Sequence, residues 1–302
     1  MYLKKLDVHG LRNLRHIQLS LSPSANLFYG PNGSGKTSLL EALYLLGRGR
    51  SFRTRTLSPV INQGEENCTV FGLLEKEGND IPLGVSRSRQ GDFLFKVNGQ
   101  PVTNSSGLAE AMPLLVLNSD SFHLLDGGPQ FRRQFIDWGV FHVEHNYRDT
   151  WQRFRRALKQ RNSLLRRDRM DDTLMGVWDA EFVCLAEQIN HYREQYLADL
   201  IPRITEVLAE LSPLEGFEFK HYAGWDNTKK LSDVLLADRQ RDFQGNTTYH
   251  GPHRADLRVR FNKQPASDIL SRGQIKILVT AMQVAQGFLY RERTGCQCLY
   301  LL

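Results

Sequence analysis

Residues 30–37 read Gly-Pro-Asn-Gly-Ser-Gly-Lys-Thr, an octamer of the form G-x-x-x-x-G-K-[ST], and no other segment restricts the fold as tightly. Each residue type has a physical reason. Glycines let the backbone curl so that its N–H groups face one concavity, a lysine reaches terminal phosphates, and a threonine hydroxyl is a ligand for Mg²⁺. Such a loop leaves a strand and enters a helix, whose N-terminus favours anions. The flanks suit that context. Asn26 to Tyr29 predicts a short apolar strand, and Lys36 to Leu46 carries apolar residues at helical spacing, with Gly47 expected to end the helix. The predicted phosphate-binding residues are therefore Gly30, Pro31, Asn32, Gly33, Ser34, Gly35, Lys36 and Thr37, with Thr37 also the predicted metal ligand. An ordinary glycine-rich turn would not need the strand and helix around it.

Hydrophobic patterning sets the organisation around this loop. Leu6, Val8, Ile17 and Leu19 lie on short alternating runs broken at Gly10 and at Ser22-Pro23-Ser24. CTVFGLL, IPLGVS and FLFKV recur between residues 68 and 102, the last closing on Asn98-Gly99, which predicts an antiparallel section. From Tyr147 the period lengthens: Tyr147, Trp151, Phe154, Leu158 and Leu165 form one helical stripe. After Asp171-Asp172, Trp178, Phe182, Leu185, Ile189, Tyr192 and Tyr196 form another. These two helices predict a hairpin. Strand patterns return at 217–222 and 257–261, then a helix from Ser271 to about Arg291, then a terminal strand, Cys298 to Leu302. The expected fold class is α/β with an inserted helical lobe: 1–126 as the first part of an ATP-binding lobe, 127–212 as the helical lobe, and 213–302 as the second part.

Composition excludes some classes. The 302 residues hold no apolar run near the roughly 20 residues that span a bilayer, so no membrane role is expected. The start, Met1-Tyr2-Leu3-Lys4-Lys5-Leu6-Asp7, does not read as a signal peptide, which predicts a cytoplasmic location. Cys68, Cys184, Cys296 and Cys298 are too scattered for a disulfide framework or a four-cysteine zinc site. The net charge is +6, which permits a polyanionic partner.

That charge is concentrated between Arg148 and Arg169. Arg148, Arg153, Arg155, Arg156, Lys159, Arg161, Arg166, Arg167 and Arg169 face only Asp149 and Asp168, with apolar residues on one stripe. Such a helix buries one side and offers guanidinium groups to phosphates from the other, and Arg153, Arg156, Lys159 and Arg161 are the predicted DNA-binding residues. The alternative is a solvated face paired with acidic neighbours. No zinc-finger or aromatic RNA-binding motif accompanies it, so charge or shape recognition is expected rather than base readout. Secondary candidates are Arg48, Arg50, Arg53 and Arg55 after the loop helix, for the nucleotide or for simple solvent exposure, and Arg132 and Arg133, for nucleotide or DNA or for simple display on a helix beginning after Pro129. His253 reads as shaping a turn.

A second motif, Leu270-Ser271-Arg272-Gly273-Gln274, heads the helix that follows it. Ser271 is a good N-cap, so a capped helix is the simple reading. Beside the loop at residues 30–37, it resembles the LSGGQ-type signature of ABC and SMC-like ATPases, with Arg272 in place of a glycine. That resemblance implies that Ser271 and Gly273 contact the γ-phosphate of ATP held by an opposite subunit, in a head-to-tail homodimer. Further blocks follow in order: Leu11-Arg12-Asn13-Leu14, Gly47 to Arg53, Gly127 to His142, Leu158 to Asn162, and His250 to Arg258. With the signature they resemble the RecF family of SMC/ABC-type ATPase heads over nearly the whole chain.

The resemblance implies ATP and Mg²⁺ as cofactors and both single-stranded and double-stranded DNA as partners. It also implies work with the RecO and RecR proteins in loading recombinase at single-strand gaps, in replication and in the SOS response. Two departures bear on hydrolysis. The predicted strand Pro113 to Leu117 leads into Asn118-Ser119-Asp120 rather than a glutamine, leaving open which residue takes its place. Cys298 to Leu302 resembles an apolar Walker B strand without the acidic residues that follow it, so binding with little turnover is expected of these residues. An SMC-like structural clamp is a competing reading, though the helical insertion is short and lacks sustained heptads. A transporter motor or small-molecule kinase shares the loop, but a motor needs a membrane partner and a kinase has no reason for the signature at 270–274; turnover independent of DNA would favour either.

Overall fold

The computed structural model describes residues 1–54, 56, 58–167 and 172–302. They form two compact units, Met1–Leu117 with Thr294–Leu302, and Asn118–Arg293. The predicted three-part division differs from this: residues 213–293 join the helices rather than the loop-bearing unit.

The first unit is built on β1 (Tyr2–Leu11), β2 (Leu14–Ser20), α1 (Lys36–Arg48), β3 (Asn67–Lys76), β4 (Asn79–Ser88), β5 (Phe93–Val97), β6 (Gln100–Val102), α2 (Ser106–Ala111) and β7 (Leu114–Val116). Six strands form one antiparallel sheet in the order β2-β1-β3-β4-β5-β6. Leu3, Leu6 and Val8 of β1 are all buried, although a regular pleat cannot turn positions 3 and 6 the same way. A register shift against β3 between Leu3 and Lys5 resolves this by inserting a bulge. The predicted Asn98-Gly99 turn joins β5 to β6 with both residues at positive φ, 51° and 75°, as a two-residue hairpin loop requires. The terminal strand Leu299–Leu301 pairs in parallel with β7.

Two local expectations fail. Helix α1 continues through Gly47 and ends at Gly49, which has φ 64° and donates its N–H to the Leu45 carbonyl at 2.8 Å. Gly47 serves packing instead, since a Cβ there would lie 2.9 Å from Met112 Cε. Residues 26–29 form no strand. Asn26 closes a turn on Ser22, accepting from its N–H at 2.8 Å and donating to its carbonyl at 3.0 Å, a local pairing that competes with a ladder. Leu27 and Tyr29 are left 87% and 88% exposed.

The second unit contains α3 (His123–Asp126), α4 (Pro129–Val143), α5 (Tyr147–Leu165), α6 (Asp172–Leu211), β8 (Phe217–Tyr222), α7 (Leu231–Ala237), α8 (Arg239–Gln244), β9 (Asp256–Phe261), β10 (Gln264–Pro265), α9 (Ala266–Ile269) and α10 (Arg272–Thr294), the last ending one residue into the first unit. Helices α5 and α6 pack together along the predicted stripes, with Tyr147, Phe154, Phe182, Leu185, Ile189 and Tyr196 buried. The α6 stripe continues through Leu197, Leu200, Ile204 and Leu208, so the helix runs 40 residues across Pro202. Sequence periodicity located both helices; the extra length follows from continued burial beyond Tyr196.

Candidate functional site

The phosphate-binding loop enters α1 at Gly35, whose φ of 100° is open to glycine and strained for other residues. A Cβ at Gly35 would lie 2.7 Å from Leu14 Cδ2 and 3.3 Å from Asn13 Nδ2. The loop is therefore seated on the β1–β2 turn. Asn13 donates from Nδ2 to the Gly33 carbonyl at 3.0 Å and accepts from Ser38 Oγ at 2.7 Å, tying the turn to both sides of the octamer. Lys36 Nζ donates to the Gly30 and Pro31 carbonyls at 2.6 and 2.9 Å. The ammonium thus lies within the curl of the loop, and Pro31, Asn32, Gly33, Ser34 and Thr37 are at least partly open to solvent. A cationic donor inside a glycine-rich curl at a helix N-terminus fits a polyphosphate, and the accessible Thr37 hydroxyl suits a Mg²⁺ held beside it.

A buried carboxylate supports the turn from beneath. Glu41 on α1 is 0% exposed and accepts from Arg12 Nε at 2.9 Å, Arg12 Nη2 at 2.8 Å and Ser51 Oγ at 2.5 Å. Hydrogen bonding to Glu41 raises the Arg12 pKa above its ordinary value. Arg12 takes φ 53°, and its carbonyl accepts from Asn62 Nδ2 at 2.5 Å. Neither Asn13 nor Glu41 stands out in the sequence as a site residue. The available signal is a lone acid inside the apolar run of α1, which demands a buried cation.

Of the secondary arginines in this unit, Arg48 donates to the Leu114 carbonyl at 3.0 Å and Arg53 lies 3.6 Å from Glu41. Arg50 is exposed, and Arg55 lies outside the described residues.

The signature opens α10. Ser271 Oγ accepts from the Gln274 N–H at 3.3 Å, and Gln274 Oε1 accepts from the Ser271 N–H at 2.8 Å, a reciprocal cap. Ser271, Arg272 and Gly273 are exposed. A Cβ at Gly273 would meet nothing within 4 Å.

Helix α5 divides its cations. Arg153, Arg155, Arg156 and Lys159 are exposed, as are Arg166 and Arg167 just past its end, and of these only Arg153 has an ion pair among the described residues, at 3.4 Å to Glu181. Arg169 lies outside the described residues. Arg161 departs from the expectation that it faces DNA: its side chain is 0% exposed. Its Nε donates to Asp179 at 2.7 Å, and its Nη1 donates to Asp242 at 2.6 Å and Thr248 Oγ1 at 2.7 Å. The adjacent Asn162 Oδ1 accepts from the Thr248 N–H at 2.9 Å and hydroxyl at 2.7 Å. A charge run in sequence cannot distinguish a solvent-facing arginine from one neutralised by acids far along the chain.

Other arginines are likewise structural. Arg132 pairs with Asp256 at 2.7 Å and donates to the Gly127 carbonyl at 2.9 Å, while Arg133 donates to the Ala255 carbonyl at 2.7 Å. His253 Nε2 lies 3.0 Å from the Thr248 carbonyl, holding a turn as expected. Its buried Nδ1 has no partner among the described residues, and burial pushes its pKa down to about 4. Burial likewise lowers His221 to about 4. No helix among the described residues is long and apolar enough to cross a membrane.

The antiparallel sheet, the loop seated on α1 and the signature capping α10 define an SMC/ABC-type P-loop ATPase head. The RecF/RecN/SMC N-terminal domain model matches residues 2–302. The chain belongs to the RecF family. It is 48% identical to the DNA replication and repair protein RecF of Pseudomonas syringae pv. tomato, covering all of this chain and 83% of the relative. It is also 48% identical to RecF of Pseudomonas entomophila, with the same coverage. A solved structure of the recombination mediator protein RecF with ATP in the RecFOR pathway superposes with TM-score 0.91 at 25% identity, covering 100% of this chain and 84% of that one. The Smc head domain of Pyrococcus furiosus matches in fold alone, with TM-score 0.54 at 14% identity and coverage of 99% and 89%.

Proposed function

We propose that the chain is an ATP-gated, DNA-binding protein of cytoplasmic recombinational repair and replication, which helps load recombinase at single-strand gaps alongside the RecO and RecR proteins and supports SOS induction. The observation that carries this reading is the contrast between a loop already curled around Lys36 and an exposed Ser271–Gly273 surface. Gly30 to Thr37 hold ATP, with Thr37 on Mg²⁺, while Ser271 and Gly273 of a second copy touch the γ-phosphate. ATP then joins two copies head to tail, because its terminal phosphate has hydrogen-bond donors from both. Magnesium supplies charge neutralisation and a fixed phosphate geometry when bound.

The DNA surface in this reading is the exposed face of α5, with Arg153, Arg156 and Lys159 on phosphates and Arg161 excluded by its burial. Anisotropy of labelled single-strand, duplex and gapped DNA, with and without ATP·Mg²⁺ and across salt, tests it. The expected result is steep salt dependence and an ATP enhancement that Lys36→Met removes. DNA affinity indifferent to ATP and to Lys36→Met would overturn the gating, and ATP hydrolysis fast without DNA would favour a motor instead.

A further inference from the structure

The outer face of the β1–β2 hairpin carries a cluster that the nucleotide chemistry does not use. Asp7 and His9 alternate along β1, and the antiparallel register places Gln18 opposite Asp7 and His16 opposite His9. His9 and His16 are exposed and their rings stack at 3.9 Å between centroids. Asp7 Oδ1 lies 3.1 Å from His9 Nε2 and 3.4 Å from His16 Nε2. That oxygen is shielded from solvent, yet it accepts no hydrogen bond from either ring or from any other group among the described residues. One donor atom from each of the three side chains lies within 4.8 Å of the others.

From this arrangement we propose a three-residue site for a divalent transition metal ion, Zn²⁺ being the representative case, with Asp7 Oδ1 and the two imidazoles as ligands. Tetrahedral zinc with ligand distances of about 2.0–2.1 Å separates its donors by roughly 3.3 Å, close to the two Asp7–histidine spacings. Two imidazoles and one carboxylate suit zinc, copper or nickel better than magnesium or calcium, and leave a position for water. Binding requires the exposed rings to leave their present stack by rotating about χ2, so that both nitrogen lone pairs face one point. Gln18 donates from Nε2 to the other Asp7 oxygen, Oδ2, at 2.7 Å, which fixes the carboxylate so that Oδ1 stays toward the histidines. The ion would cross-link β1 to β2 close to the turn that bears Arg12 and Asn13.

The test uses the full chain carrying Cys184→Ser, which removes an exposed thiol that also takes zinc. Zn²⁺ is titrated in competition with a chromophoric chelator, and long-range ¹H–¹⁵N spectra of the histidine rings are recorded. The expected result is one saturable equivalent, with the His9 and His16 ring nitrogens shifting together, and binding weakened at least tenfold by His9→Ala, His16→Ala or Asp7→Asn. Gln18→Ala, leaving every ligand in place, weakens it by about tenfold. All four positions lie on the outer face, so far-ultraviolet circular dichroism unchanged from the parent shows that each variant is folded. No saturable uptake, or uptake undiminished in His9→Ala/His16→Ala, overturns the site; neither outcome depends on ATP or DNA binding.

Discussion

Helix α5 treats two of its arginines in opposite ways. Arg161, near its end, is enclosed by Asp179, Asp242 and Thr248, whereas Arg156, in its middle, stands exposed with no ion pair among the described residues. The first has exchanged water for two carboxylates, and its worth is measured in stability. The second keeps its hydration, and on the proposed DNA surface its worth would appear only in binding. Identical side chains in one basic run therefore do unrelated work.

The largest effect should come from the enclosed end. Arg161→Ala strands the fully buried Asp242, while Asp179 keeps Arg239 at 3.0 Å, and is expected to lower stability by about 3–5 kcal/mol, whereas Arg156→Ala stays within about 0.5 kcal/mol, both read from urea denaturation. Equal losses would erase the distinction. Next is acid. His253 packs on the same cluster through Thr248, and its folded pKa of about 4 lies below the ordinary histidine value of 6.5. The unfolded chain thus takes up the proton first. Stability falls as pH drops from about 6.5 and levels below about 4, by up to about 3 kcal/mol for this residue. Comparing His253→Gln with the parent at pH 7 and pH 5 should show a shallower decline in the variant, with His221 still contributing to both.

On the exposed side, Arg153→Ala/Arg156→Ala/Lys159→Ala should leave the unfolding midpoint close to the parent's. Its duplex-binding salt slope should flatten by up to about 2.7, at about 0.9 for each phosphate that is no longer neutralised. An unchanged slope would move the DNA surface elsewhere. The smallest stability change belongs to Gly273→Ala, expected within about 0.5 kcal/mol because its Cβ meets nothing. Light scattering with ATP should nonetheless find fewer dimers, so that a residue idle within its own chain is seen to matter between chains.

Legibility from sequence followed range. The octamer, the antiparallel strands, the Asn98-Gly99 turn and both apolar stripes on α5 and α6 depend on neighbours a few residues apart, and all were readable. The place of Arg161 depends on Asp242, 81 positions away, which local periodicity does not encode. Asn13 was legible only as part of a family block; its hydrogen bond to Gly33 spans 20 positions. Residues 26–29 failed for a different reason. Their apolar content predicts a strand, but Asn26 offers the backbone a competing turn.

Lys36 donates to two carbonyls of its own loop. An entering compound must offer it something better than a pair of neutral dipoles, and a polyanion can, whereas an uncharged molecule of the same outline cannot. If the loop holds ATP as proposed, it should therefore select by charge before shape. Adenosine should be refused where ATP is admitted, even though both present the same base.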